Sequence, residues 1–203
     1  MTRTNVRLHR LAGGLIAGAV VLTGCSGGSA TSDTSARSSA SQSASQSANF
    51  NDVDVTFAQD MIVHHEGALQ MAQLADGRAQ DPRVLDLAGR IEAAQDPEIQ
   101  TMTGWLEDWG QPTSPAQSGD MSGGMDMGGM NMDIEGLEAA SGPGFDRMWL
   151  QMMTEHHLGA VDMAQTEIAD GQNADAIALA EQIVESQSAE IDEMGTILTE
   201  LGG

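Results

Sequence analysis

Lysine and tyrosine are absent from the 203 residues, Cys25 is the only cysteine, and phenylalanine and tryptophan occur three times each. All eight basic residues are arginine, set against thirty acidic ones, for a formal net charge of −22. Arg3, Arg7 and Arg10 lie within the first 24 residues, so only five basic residues remain in the rest of the chain. Nucleic-acid binding draws on clustered Lys and Arg releasing counterions, so no nucleic-acid partner is expected. Adhesion to anionic lipid through side-chain charge is disfavoured for the same reason. An acidic surface suits metal ions, cationic partners and high ionic strength, without choosing among them. A single cysteine allows no disulfide within the chain, so the fold must rest on its core. The lack of tyrosine and of any sustained two-residue alternation argues against strands.

What is present begins with three arginines followed by the apolar run Leu15 to Leu22, ending in Thr23-Gly24-Cys25. A short apolar stretch behind a basic front reads as a signal peptide and is too short to span a membrane comfortably. Its ending resembles a bacterial lipoprotein processing site, at which the Cys25 thiol receives a diacylglycerol and becomes the first residue. Residues 1–24 are then a lipoprotein signal peptide, and the expected location is the outer face of a bacterial cytoplasmic membrane, anchored in the lipid bilayer. A soluble secreted protein cut nearby is the alternative. Residues 25–49 continue with ten serines and no apolar periodicity. Such a segment cannot offset its ordering entropy by burial, and is expected to be a disordered tether.

Residues 50–201 carry an internal repeat at an offset of 92. Met61, His64, His65, Gly67, Ala68, Met71 and Ala72 recur as Met153, His156, His157, Gly159, Ala160, Met163 and Ala164. The same offset pairs Gln95, Glu98, Ile99, Met102 and Leu106 with Gln187, Glu190, Ile191, Met194 and Leu198. A match of this extent reads as a duplicated helical hairpin whose apolar faces cover one another. The first helix runs from about Asp54 to Asp76 and stops near Gly77. Asp81-Pro82 caps and starts a second, reaching about Trp109. Its apolar stripe is Val84, Leu87, Ile91, Ala94, Ile99, Met102 and Leu106, with Pro97 a candidate for a bend. The second unit has a helix from about Gly144 to Asp170 and another from Asn173 to Leu201. The latter buries Ile177, Ala180, Ile183, Val184, Ile191, Met194 and Leu198. The expected fold is all-α, an antiparallel four-helix bundle. Residues 110–143, rich in Gly, Pro, Ser and Met, are the connector between hairpins, and a link of this length is often functional or disordered.

Beyond the export segment the only histidines are the two equivalent pairs, His64-His65 and His156-His157. Neighbours on a helix do not share a face, so one of each pair is expected toward the bundle axis and the other at its flank. Asp60 and Met61 precede His64 and His65 by one turn, Met152 and Met153 precede His156 and His157, and Met71 and Met163 follow. Imidazole with thioether suits copper or silver better than calcium or magnesium. Packing is the competing reading, since methionine is ordinary core filler and histidine often only bonds a carboxylate. Glu98 and Glu190 are partners for the histidines under either reading. The connector holds Met121, Met125, Met127, Met130 and Met132 among Gly, Ser, Asp and Asn, where no continuous apolar face exists. Thioethers on so flexible a chain can gather around a soft monovalent ion, and an inert linker is the alternative. Cys25 is assigned to lipid anchoring, not to a metal-binding thiolate.

The two His-His-x-Gly-Ala-x-x-Met-Ala stretches, with Gln95-x-x-Glu98-Ile99-x-x-Met102 and Trp105, and Gln187-x-x-Glu190-Ile191-x-x-Met194, resemble a bacterial exported family, domain of unknown function 305. The resemblance covers roughly residues 53–201. It implies a ferritin-like helical bundle, and because some relatives are associated with copper it favours the histidines and the Met-rich connector as metal sites. It implies no established reaction. Di-iron bundles supply Glu-x-x-His pairs, and the domain has none, since Glu155 and His156 are adjacent. The expected function is therefore surface-tethered capture or buffering of soft metal ions, copper or silver. A non-enzymatic cell-envelope interaction or adaptor domain with an unidentified protein partner is the alternative, and a copper-dependent oxidoreductase is third.

Overall fold

The computed structural model describes residues 49–115 and 133–202. These form helices α1 (Asp52–Leu74), α2 (Pro82–Trp109), α3 (Ile134–Ala139), α4 (Gly142–Asp170) and α5 (Ala174–Glu200). None of the described helices is long and apolar enough to cross a membrane. Met121, Met125, Met127, Met130 and Met132, together with Cys25, lie outside the described residues.

Local chemistry sets the helix limits. The Asn51 side chain accepts from the Val53 and Asp54 amides while Asp54 accepts from the Asn51 amide, a reciprocal cap that opens α1. Asp81 caps α2 through the Arg83 amide, with Pro82 at the first helical position. Gly110, at φ +69, ends α2 in the left-handed region that a side chain would resist. Asn173 caps α5 through the amides of Asp175 and Ala176. Pro97 is exposed, and α2 is continuous through it.

α1 packs closely on α2 and α4 on α5, while α1 and α4 pack on each other through the middle of the bundle. The molecule is a ferritin-like four-helix bundle made of two repeated hairpins. The 92-residue repeat becomes a pseudo-two-fold relation with a swapped contact at each end. Asp54 on α1 accepts the backbone amides of Gln172 and Asn173 at 3.0 and 2.7 Å, in the turn of the other hairpin. Its equivalent Asp146 on α4 accepts those of Gln80 and Asp81 at 2.9 and 3.0 Å, in the turn of the first. Both carboxylates are buried and both serve the start of a helix, where amides lack internal partners and the dipole favours negative charge. On the surface Arg90 spans α2 and α5 by reaching both carboxylate oxygens of Glu193 at 2.7 Å, and Arg83 pairs with Glu200.

The apolar interior is split in two. One cluster joins Met71, Leu87, Ile91, Phe145, Trp149, Leu150 and Met153. The other joins Phe57, Met61, Ile62, Met102, Leu106 and Ile183. The expected stripes fail at the boundary between them. Ala94 is exposed and Gln95 buried in its place, and in α5 Gln187 is buried while Val184 and Ile191 are only partly covered. The physical reason is the polar layer described below, which gives these two glutamines a polar environment. The connector also differs from expectation. It contains α3, capped by Asp133 through the Gly136 amide, with Leu137 fully buried. Six residues around one apolar anchor carry no periodicity to read.

Candidate metal centre

Between the two apolar clusters the bundle has a polar waist, to which α1 and α4 each bring a histidine pair. All four imidazoles are buried, which corrects the expectation that one of each pair would lie at the flank. The reason lies in the neighbours. His64 and His156 meet across the α1–α4 contact with ring centroids 3.6 Å apart and planes tilted by 41°. His65 and His157 turn toward the outer helices, where glutamates receive them. His65 Nε2 lies 2.6 Å from Glu98 Oε2 on α2, and His157 Nε2 lies 2.8 Å from Glu190 Oε2 on α5. A carboxylate only accepts, so Nε2 carries the proton in each case, and the neutral form of each ring keeps its lone pair on Nδ1. Sequence left open which histidine takes which glutamate; packing assigns His65 and His157.

The nitrogens left over define the chemistry. Neither Nδ1 nor Nε2 of His64 and His156 has a hydrogen-bond partner, nor has Nδ1 of His65 or His157. Gln95 and Gln187 likewise hold buried side-chain oxygens without partners. Leaving a buried polar group unmatched costs about 1–3 kcal/mol. Desolvation, followed by the positive charges of neighbouring histidines, depresses His64 to about 3 and His156 to about 2, with only the His64 backbone acting weakly the other way on His156. Both rings are therefore neutral at physiological pH, the form in which imidazole binds metals. Their donor atoms are buried together and uncommitted, and the donor set suits a soft ion.

Met61 and Met153, one turn before His65 and His157, are fully buried, as is Met71; Met152 is almost so. Met71 also offers its carbonyl to Trp149 Nε1 at 2.8 Å. Met163 is partly exposed and Asp60 exposed, and both line an open groove between α1 and α4. Burial of part of the Asp60 carboxyl raises its pKa. Among the described residues no group of three or more His, Cys, Asp or Glu side chains is arranged to hold a metal.

A second buried pair was not anticipated. Glu167 on α4 is fully buried beside Asp54, with neither carboxyl oxygen in a geometrically sound hydrogen bond. Desolvation, then interaction with Asp54, pushes Glu167 up to about 8. Burial pushes Asp54 upward too, but Glu167 and the amides of Asn51, Asn173 and Gln172 outweigh it and leave its pKa lowered. The pair shares one proton, held mainly on Glu167. The recurrence of Asp54 as Asp146 was the signal that could have marked the first of them.

No curated protein matches the chain significantly. Solved structures do. A DUF305 protein from Streptomyces coelicolor, described as secreted, is 34% identical over 74% of this chain and 94% of its own, with a TM-score of 0.63. CopM in its Cu(I)-bound form is 31% identical over 74% of this chain and 98% of its own, with a TM-score of 0.63, and CopM has also been solved with Cu(II), with Ag and in the apo form. A DUF305 fragment from Deinococcus radiodurans is 30% identical over 74% and 97% of the two chains, with a TM-score of 0.63. The DUF305 profile, a domain of unknown function, matches residues 54–198, and with these likenesses the chain belongs to the DUF305 family.

Proposed function

We propose that this protein captures or buffers soft metal ions, copper foremost and silver by the same chemistry, outside the cytoplasm. The observation that carries the reading is the His64–His156 pair, two neutral buried imidazoles in contact with all four nitrogens uncommitted. A structural pair would satisfy those atoms with protein partners; a binding pair leaves them available. His65 and His157, each oriented by a glutamate with Nδ1 unprotonated, repeat an arrangement common among metal-binding histidines. Met61 and Met153 are the nearest thioethers in sequence, with Met71, Met152 and Met163 further candidates. Asp60 is a candidate only for attracting ions at the groove. Met121, Met125, Met127, Met130 and Met132 form a separate, softer capture segment.

The copper- and silver-bound structures of CopM support the choice of metal. The secreted relative from Streptomyces coelicolor supports export. The Leu22-Thr23-Gly24-Cys25 ending supports a lipid anchor at Cys25, with the serine-rich tether giving the domain reach from the bilayer. The test is an anomalous-scattering map of crystals loaded separately with copper and silver. A peak within the waist, beside His64 or His156, is expected. Loading that leaves the waist without a peak, and leaves thermal unfolding unchanged, would sink the reading, since binding to folded geometry must stabilise it.

A further inference from the structure

The pseudo-two-fold relation creates two equivalent grooves between α1 and α4, one on each side of the bundle, and among the described residues only one of them is filled. On the filled side α3 packs against both helices, and Leu137 is buried in the cluster that holds Phe145 and Met152, with Leu74 and Met148 at its edge. Applying the 92-residue offset carries Phe145, Met148, Met152 and Leu74 onto Val53, Thr56, Asp60 and Thr166. Those four residues line an open groove of about 360 Å³, together with Asp52, Phe57, Met163 and Glu167. In the chain, the register of α3 before α4 corresponds to residues 42–47 before α1. That segment reads Gln-Ser-Ala-Ser-Gln-Ser and offers no aliphatic side chain in place of Leu137.

The open groove has also changed character. Its floor keeps Phe57 and Met163, but Glu167 stands where the filled side has Ala75, fully buried beside Asp54, with which it shares a proton. Asp52 and Asp60 add charge at the mouth. Among the described residues the basic side chains are Arg78, Arg83, Arg90 and Arg147, all belonging to the opposite end of the bundle. We propose that this groove is a docking site for a short cationic segment of a partner protein, one turn or so of helix that inserts an aliphatic side chain over Phe57 and Met163 and sets a lysine or arginine against Asp52 and Asp60. α3 supplies the internal precedent for the shape, and the two exposed carboxylates supply the sign of the charge. Helix-in-groove recognition works through such an apolar anchor, while charge complementarity sets partner choice and association rate. The four histidines take no part in the groove, but Met163 and Asp60 are shared with the proposed metal capture, so the test is run without metal.

The test uses the full chain, kept metal-free by chelator, with two octapeptide probes. One copies residues 133–140; the other is the same peptide with Asp133→Lys, Glu135→Lys and Glu138→Lys. Backbone amide shifts are followed by NMR as each is titrated. The lysine peptide should perturb amides around Thr56, Phe57, Thr166 and Glu167, with an affinity at least tenfold above that of the acidic parent. Thr56→Arg with Thr166→Arg, both at exposed helical positions, should abolish those shifts while thermal unfolding stays within a few degrees. Asp52→Asn with Asp60→Asn should weaken binding several-fold. Equal binding of both peptides, shifts spread over the acidic surface, or no saturable shift would overturn the proposal. Full displacement of the lysine peptide by arginine amide at equal concentration would overturn it too, by showing a site for small cations alone.

Discussion

His64 and His156 stand ring over ring, 3.6 Å between centroids, at the point where the two halves of the repeat meet. Their depressed pKa values, about 3 and about 2, lie below the ordinary 6.5 that the unfolded chain would show. The unfolded state therefore binds more protons throughout that interval, and stability rises with pH across it. The apo protein should begin to lose stability as pH falls below 6.5, by about 1.4 kcal/mol per histidine per pH unit until the folded values are reached. Urea unfolding of the Glu167→Gln variant, which lacks the opposing titration of that carboxyl, at pH 7.5, 6.0 and 5.0 measures this. A midpoint that stays flat over the range would contradict the buried neutral pair.

Replacing both members of that pair by leucine separates structure from binding. Because their nitrogens have no partners, His64→Leu with His156→Leu should leave the apo protein as stable or more stable, by about 1–3 kcal/mol, and flatten its acid limb. It should also remove the stabilisation that copper gives. His65→Leu or His157→Leu should do the opposite and cost about 1–3 kcal/mol, since each takes a charged hydrogen bond from Glu98 or Glu190. Calorimetric unfolding of the four proteins, with and without copper, reads both effects. Equal destabilisation by all four substitutions would show that His64 and His156 have polar partners after all.

Much of this molecule is legible in sequence because its determinants are local. Asn51, Asp81-Pro82, Gly110 and Asn173 mark helix limits through their own side chains and torsions, and the offset of 92 announces the symmetry. What the sequence withholds depends on contact across hairpins. Glu98 and Glu190 are readable as partners of histidine, but only packing decides that they take His65 and His157 and leave His64 and His156 facing each other. The clasp of Asp54 on the amides of Gln172 and Asn173 has no side-chain partner to search for. α3 is too short for any period, so Leu137 reads as one apolar residue in a polar linker. Gln95 and Gln187 interrupt the stripes because the waist is polar, a fact that appears only once four helices are assembled.

The Asp54–Glu167 pair gives the opposite pH signature from the histidines. Glu167 is raised from 4.5 to about 8, so the folded state holds a proton that the unfolded state has released. Its stabilising contribution is complete below pH 4.5 and is lost as pH rises through about 8. Ionisation also sets a second charge beside Asp54, which secures the turn leading into α5. Thermal unfolding of the wild type should therefore decline between pH 6.5 and 8 and level off above that, and Glu167→Gln should remove most of that decline. An undiminished decline in the variant would place the alkaline sensitivity elsewhere.

Asp146 offers a cleaner measure of the clasp, because no second carboxylate is placed against it. Asp146→Ala removes the acceptor for the Gln80 and Asp81 amides, at 2.9 and 3.0 Å, and deletes a charge placed favourably at the start of α2. A cost of about 2–4 kcal/mol is expected from two charge-assisted bonds with part of the loss recovered by water. Hydrogen exchange should quicken first at Gln80, Asp81 and the opening turn of α2. A cost below about 0.5 kcal/mol, of the size common for surface positions, would mean that the turn is held by other contacts.

The final prediction separates the folded waist from the methionine-rich connector. Met121, Met125, Met127, Met130 and Met132 lie outside the described residues. Replacing all five with serine should leave helicity and apo thermal unfolding nearly unchanged, since the Gly, Ser, Asp and Asn around them offer no continuous apolar face. If those thioethers gather a soft ion, the variant should bind fewer copper(I) equivalents, or take up the ion more slowly, while copper still stabilises the bundle through the waist. The leucine pair at His64 and His156 should show the reverse, retaining fast uptake by the connector and losing the stabilisation. Titration with copper(I) under reducing conditions, stopped-flow uptake and thermal unfolding of both variants make the comparison. Unchanged stoichiometry and rate in the five-methionine variant would remove the connector from the capture mechanism and leave the histidine waist to account for binding alone. A large loss of helicity would show that the segment belongs to the core.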